Sequence, residues 1–214
     1  MPNPLVPPGE IHLHWLRHDA TRGRAPLRAL LADYLAVTAD DVCIVQSEPH
    51  LKPRLAPPHA GLHFNWSHSG ALAVVALAVD IDPGVDVEQI ERRNDIMAIA
   101  RRFYADDEVA ALTALEPGQR RDGFTRAWTL KEAVVKAEGG GLAQALSHVA
   151  VAFEGNSTLL QRVPTGDPAE WQCAMLQPPL PGYRAALAWR GGPRRIVVHG
   201  GETLSSIVTP ESTP

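Results

Sequence analysis

Ala71–Val79 reads Ala-Leu-Ala-Val-Val-Ala-Leu-Ala-Val, apolar at every position. Successive side chains on a strand leave opposite faces. A strand apolar on both faces has to be covered on both, so this run predicts a central strand. It is far shorter than the roughly 20 residues a membrane helix needs. Together with the preceding residues, Leu62–Val79 reads as two strands joined by a turn at Ser67-His68-Ser69-Gly70.

Asp80-Ile-Asp-Pro-Gly84 breaks the run and marks an internal boundary. Before it, Ile11–Leu16 alternates and reads as a strand. Pro26–Val37 predicts a helix: Pro26 suits a first turn, and Leu27, Leu30, Leu31, Tyr34 and Leu35 make one apolar stripe. His50–Gly61 is proline-rich and reads as a loop. After the boundary, Val85–Ile90 is a strand with Asp86 and Glu88 on one face, and Asn94–Phe103 is helical. Asp106-Asp-Glu108 opens a further helix, where the dipole favours acids. Asp122–Glu138 is a long helix stopped by Gly139-Gly-Gly141. Residues 148–153, 170–176, 183–189 and 194–199 read as strands. Each half therefore holds an amphipathic helix and hydrophobic strands, an echo of pattern rather than identity. The expected division is 1–81, 82–205 and a tail at 206–214.

A hydrophobic content of 45% is enough for a packed core, and a net charge of −4 supplies no general field for nucleic acid. Cys43 and Cys173 match no metal spacing and read as free, buried thiols in a reducing compartment. The opening Met-Pro-Asn-Pro-Leu-Val-Pro-Pro-Gly lacks the basic and apolar regions of a signal peptide. The expectation is a soluble cytoplasmic chain with neither membrane nor nucleic acid as partner.

Two carboxylates on one strand face repel unless a cation sits between them. Mg²⁺ is commonly held by one or two carboxylates and substrate phosphates. A solvated strand face is the better explanation of Asp86 and Glu88 when they are taken alone. The long helix shifts that balance. Lys131 falls within its apolar stripe of Phe124, Ala127, Trp128, Val134 and Val135, where an unpaired ammonium is costly. It must reach out of the core or meet an anion. Glu132 and Lys136 lie one turn apart; an i,i+4 pair worth roughly 0.2–0.5 kcal/mol accounts for them but not for Lys131. Ser67 and His68, adjacent on an extended segment, point apart, so phosphate binding suits them better than nucleophilic catalysis. Lys52, Arg54, Arg22, Arg24 and Arg28 are further cations, each readable singly as surface charge.

Three elements in this order resemble the 4′-phosphopantetheinyl transferases of the larger, surfactin-synthetase-activating type. They are Phe64-Asn-Trp-Ser67-His68-Ser69, Gly84-Val-Asp86-Val-Glu88, and Trp128-Thr-Leu-Lys131-Glu132-Ala-Val-Val-Lys136-Ala-Glu-Gly-Gly-Gly141-Leu142. Leu51 departs from the glycine usual before the Lys-Pro pair. The resemblance implies an α+β fold of two similar pseudo-twofold-related lobes, each a small antiparallel sheet packed against a long helix. It implies a monomer with the site between the lobes. It further implies transfer of phosphopantetheine from coenzyme A to a serine of an apo acyl or peptidyl carrier protein, releasing 3′,5′-ADP. By position, Asp86, Glu88 and Glu132 would hold Mg²⁺, with Mn²⁺ able to substitute. Lys136, Ser67 and His68 would contact phosphates, and Arg28 and Lys52 would lie near the adenosine 3′-phosphate. Glu132 or a metal-bound water would be the base, with Lys131 or Lys136 stabilising the leaving group. A coenzyme A-binding module without chemistry and a Mg²⁺-dependent pyrophosphate hydrolase are the competing readings.

Overall fold

The computed structural model describes residues 6–48, 51–90, 95–139, 146–154 and 157–200. Its elements are β1 (Glu10–Arg17), α1 (Ala25–Leu35), β2 (Ile44–Val45), β3 (Arg54–Leu55), β4 (His63–Ser69), β5 (Leu72–Ala78) and β6 (Gly84–Gln89). There follow α2 (Ile96–Phe103), α3 (Asp106–Ala114), α4 (Pro117–Glu138), β7 (Ala150–Glu154), β8 (Ser157–Arg162), β9 (Trp171–Leu176), β10 (Tyr183–Arg190) and β11 (Arg195–His199). No helix among the described residues is long and apolar enough to cross a membrane.

The fold is α+β, with two small sheets stacked face to face and a helix on each outer surface. One sheet runs β11-β1-β5-β4 and the other β6-β10-β9. Strand β5 is central, as its double apolar pattern requires, and all seven residues are buried. Leu72, Val74, Ala76 and Ala78 face the second sheet, meeting Val85, Val87, Ala185 and Leu187. Val75 and Leu77 face the opposite way and pack, with Phe64, against Leu27, Leu31 and Ala32 of α1. The second sheet repeats the device. Ala186 and Ala188 on its outer face pack against Ala127, Leu130, Val134 and Val135 of α4. The two helices are unequal, 11 residues in α1 and 22 in α4.

Pairing is antiparallel except where β11 returns from the end of the chain to lie parallel to β1. Helix α4 starts before Asp122 because Pro117 occupies its first turn, where a missing N–H has no cost. Its last turn closes on Gly139 in the left-handed conformation, φ 82°; the other two glycines of that run lie outside the described residues. Strand β8 was not expected; it pairs with β7 alone, in a separate small sheet.

Three expectations change. The proline-rich loop at 50–61 contains β3, which pairs with β2 between its prolines. Ser67, His68 and Ser69 do not form a turn: they continue β4, and the reversal falls at Gly70-Ala71, with Gly70 at φ 54°. Cys43 and Cys173 are free but exposed, since Cys173 sits on β9 at the sheet edge and Cys43 precedes the small β2.

Candidate active site

Strand alternation places Val85 and Val87 against the first sheet and turns Gly84, Asp86 and Glu88 toward α4. Gly84 sets how close that helix comes. A Cβ there would lie 1.9 Å from the carbonyl oxygen of Ala133 and 2.4 Å from the nitrogen of Ala137. Only glycine permits this approach of two backbones. Because the contact falls on Ala133 and Ala137, their neighbours Glu132 and Lys136 are brought down onto Asp86.

Asp86, Glu88 and Glu132 converge, each offering a carboxylate oxygen within 4.8 Å of the others. Asp86 is 1% exposed. Its Oδ1 accepts hydrogen bonds from Ser67 Oγ at 2.7 Å and from Lys136 Nζ at 2.5 Å. Its Oδ2 is buried with no hydrogen-bond partner among the described residues. Burial, then the charges of Asp86 and Glu88, hold the Glu132 carboxyl well above the usual carboxylate range. Burial pulls the other way on Lys136, but Asp86 and Glu132 outweigh it and hold that ammonium above the ordinary lysine value. Lys136 also lies 3.3 Å from Glu132 Oε2 and donates to Ser67 Oγ at 3.1 Å. Three crowded carboxylates, one of them with an orphaned buried oxygen, could hold a hard divalent cation, and Lys136 beside them offsets part of their charge.

A missed feature aligns these acids. Asn65, Ser67 and Ser69 alternate along β4 on the face toward β6. Asn65 Oδ1 accepts the Val85 N–H at 2.7 Å, Ser67 holds Asp86, and Ser69 Oγ donates to Glu88 Oε2 at 2.8 Å. Ser69 Oγ in turn accepts the Gln89 N–H at 3.1 Å. Side chains thus join β4 to β6 where no backbone ladder does. The signal was Asn-x-Ser-x-Ser at period two, visible before folding but without a known partner.

The other expected site residues are placed as follows. His68, on the opposite face of β4, is exposed and stacks on His18 with ring centres 3.9 Å apart. Lys52 donates to the Pro83 carbonyl at 2.7 Å and pairs with Asp82 at 3.1 Å, and burial lowers its ammonium to about 8. It braces the segment entering β6. Arg28 donates to the Val42 carbonyl at 2.5 Å, tying α1 to the chain before β2. Neither of these cations contacts the carboxylate cluster among the described residues.

Lys131 meets an anion, but not at the cluster. It is fully buried, 2.7 Å from Glu108 Oε2 and 4.3 Å above the Tyr104 ring. Glu108 also accepts the N–H groups of Ala105 at 2.7 Å and Val151 at 2.9 Å. The pair therefore locks α3, α4 and β7 together. Lying one residue before Glu132, Lys131 leaves the helix about 100° away from it, toward α3. Sequence reasoning missed Glu108 because its acid-rich first turn already had a reading as helix N-terminus.

Beside Glu88 opens a cavity of about 380 Å³ between α2 and α4, walled by Ile96, Ile99, Phe103, Phe124 and Trp128. Gln89, Arg121 and Thr125 add polar groups to its lining, and through Glu88 the cavity borders the acidic cluster.

Fold and site define an α+β protein with a three-carboxylate cluster on the seam between a strand and a long helix. The model of the 4′-phosphopantetheinyl transferase superfamily matches residues 82–188, which carry all three acids. The chain belongs to that superfamily. It is 37% identical over 131 residues to the 4′-phosphopantetheinyl transferase HetI of Nostoc sp., covering 60% of this chain and 54% of that one. It is 31% identical to the 4′-phosphopantetheinyl transferase psf-1 of Bacillus pumilus, covering 80% and 72%. With the 4′-phosphopantetheinyl transferase AcpT of Escherichia coli it shares 33% identity, covering 56% and 59%. The matched region thus spans about half of HetI's length and more of psf-1. A solved holo-(acyl-carrier-protein) synthase from Bacillus anthracis, in complex with CoA (3′,5′-ADP), gives a TM-score of 0.42 at 14% identity, covering 51% of this chain and 96% of that one.

Proposed function

We propose that the chain transfers the 4′-phosphopantetheinyl group from coenzyme A to a serine of an apo acyl or peptidyl carrier protein, releasing 3′,5′-ADP. The observation carrying this reading is the convergence of Asp86, Glu88 and Glu132 around the unpartnered Asp86 oxygen, beside Lys136. Superfamily membership supports the reaction class. Mg²⁺, or Mn²⁺ in its place, held by Asp86, Glu88 and Glu132, would supply charge neutralisation at the pyrophosphate. Ser67 and Ser69 orient the acids from β4, and Lys136 neutralises charge on the departing phosphate. Glu132, or a metal-bound water beside it, would take the serine proton; burial and the neighbouring Asp86 raise the Glu132 carboxyl, which makes it the stronger base once ionised. The cavity beside Glu88, with its apolar wall, suits the pantetheine arm, and the stack of half-buried His18 on exposed His68 suits the nucleotide end. Lys52 and Arg28 would lie near the adenosine 3′-phosphate, held by the backbone carbonyls of Pro83 and Val42. Lys131 acts through Glu108 as a positioning residue. In this reading the lobes 1–81 and 82–205 meet at the β4–β6 seam, with β11 of the second crossing back to pair with β1 of the first, and the chain works as a monomer. The two cysteines, free and unpaired, accord with a reducing cytoplasm.

The test is intact-protein mass spectrometry of several apo carriers after incubation with the chain, coenzyme A and Mg²⁺. The expected result is a gain of about 340 Da, the mass of the transferred group, with release of 3′,5′-ADP. Coenzyme A binding without any mass gain would leave only a binding module. Nucleotide release without a carrier would mean hydrolysis.

A further inference from the structure

A second cluster lies on the outer face of the first sheet, apart from the carboxylates. His12 and His14 leave β1 on the same side, and His199 of β11 stands beside His14 in the parallel register. Each offers a ring nitrogen within 4.8 Å of the others. The His14 and His199 rings stack with centres 4.4 Å apart, and His12 lies 5.1 Å from His199. Tyr34 of α1 reaches in from above. Its hydroxyl is 2.7 Å from both His12 Nδ1 and His14 Nε2.

The hydrogen-bond pattern assigns the protons. Glu10 Oε2, 3.2 Å from His12 Nε2, can only accept, so Nε2 carries the proton and Nδ1 presents a lone pair. A carboxylate behind one ring nitrogen while the other faces the site is the arrangement that orients metal-bound histidines. The Tyr34 hydroxyl donates to that lone pair and marks where two imidazoles converge. His199 Nε2 is buried with no hydrogen-bond partner among the described residues.

We propose that His12, His14 and His199 form a site for a divalent transition-metal ion of the zinc class, clasping β11 to β1. Three neutral imidazoles select such an ion over Mg²⁺, which prefers oxygen. Tetrahedral bonds of about 2.0–2.1 Å require nitrogens about 3.3 Å apart, within reach of ring rotations from the present spacing. Two ligands on β1 and one on β11 would cross-link a parallel edge strand that is otherwise half exposed. This proposal is independent of the transfer reaction.

The experiment titrates zinc into the untagged, metal-stripped full chain by calorimetry, with millimolar Mg²⁺ present to engage the carboxylates. The expected result is one equivalent bound, a zinc-dependent rise in Tm, and an affinity loss on the order of 100-fold in His14→Gln and in His199→Gln. Cobalt(II) in the wild-type chain should give the intense visible bands of a nitrogen-rich tetrahedral site. That spectrum decides the matter if either variant fails to fold. Absence of a bound equivalent, or weak octahedral cobalt bands, overturns the proposal. So does zinc binding that survives both histidine substitutions or that disappears in Asp86→Asn instead.

Discussion

Lys131→Met leaves a carboxylate stranded in the core. Glu108 is 1% exposed and its counter-charge stands 2.7 Å away. Without Lys131 it keeps the Ala105 and Val151 N–H donors but loses the ammonium. Removing one partner of a buried pair costs about 3–5 kcal/mol. Protonation caps the charge part of that cost. A glutamate that ionises near pH 4.3 when unfolded can be held neutral at pH 7 for about 3.7 kcal/mol, at about 1.36 kcal/mol per pH unit. The expected loss at pH 7 is therefore about 3 kcal/mol. In the variant the folded-state value of Glu108 is raised above the unfolded one. Its stability contribution is then fully present below pH ~4.3 and is lost as pH rises toward the folded value. The gap from wild type should thus close by about 1.4 kcal/mol per unit as pH falls from 7 toward 5. Adding Glu108→Gln removes the stranded charge and should bring the double variant within about 1 kcal/mol of wild type. Urea unfolding followed by tryptophan fluorescence at several pH values measures each quantity. A loss below ~1 kcal/mol, a loss independent of pH, or a double variant worse than the single one would refute the reasoning.

The raised Glu132 carboxyl makes the metal-free protein progressively less stable as pH rises from about 4.3 through the folded value. Glu132→Gln should abolish that slope in Tm recorded in EDTA and also remove any Tm gain from Mg²⁺; a variant that keeps both the slope and the Mg²⁺ gain would show that Glu132 is not the group involved. Gly84→Ala drives a methyl group into the Ala133 carbonyl and should cost about 3 kcal/mol while weakening Mg²⁺ binding. Unchanged stability on urea titration would mean the β6–α4 contact is not set by that glycine.

Much of the site was legible because short-range periodicity encodes it. Asp86 and Glu88 share a face through strand alternation alone, and Glu132 and Lys136 share one through the helical repeat. The apolar run at 71–79 announced a strand covered on both sides, and β5 is that strand. What stayed hidden were long-range pairings. Nothing near Lys131 identified Glu108, 23 residues away, as its partner. Nothing near Ser67 identified Asp86, 19 positions distant, as the acid it holds. The histidines of β1 gained meaning only when β11 returned beside them.

The amino-acid order by itself determined which faces are apolar, where helices start and stop, and which acids leave the same side of a backbone. These follow from local geometry, which acts between near neighbours. Only the tertiary structure decided which faces meet: α4 pressed on Gly84, β4 joined to β6 by side chains, and β11 laid along β1. Such encounters bring together groups far apart in sequence, where burial and unlike charge, rather than local propensity, fix the partner.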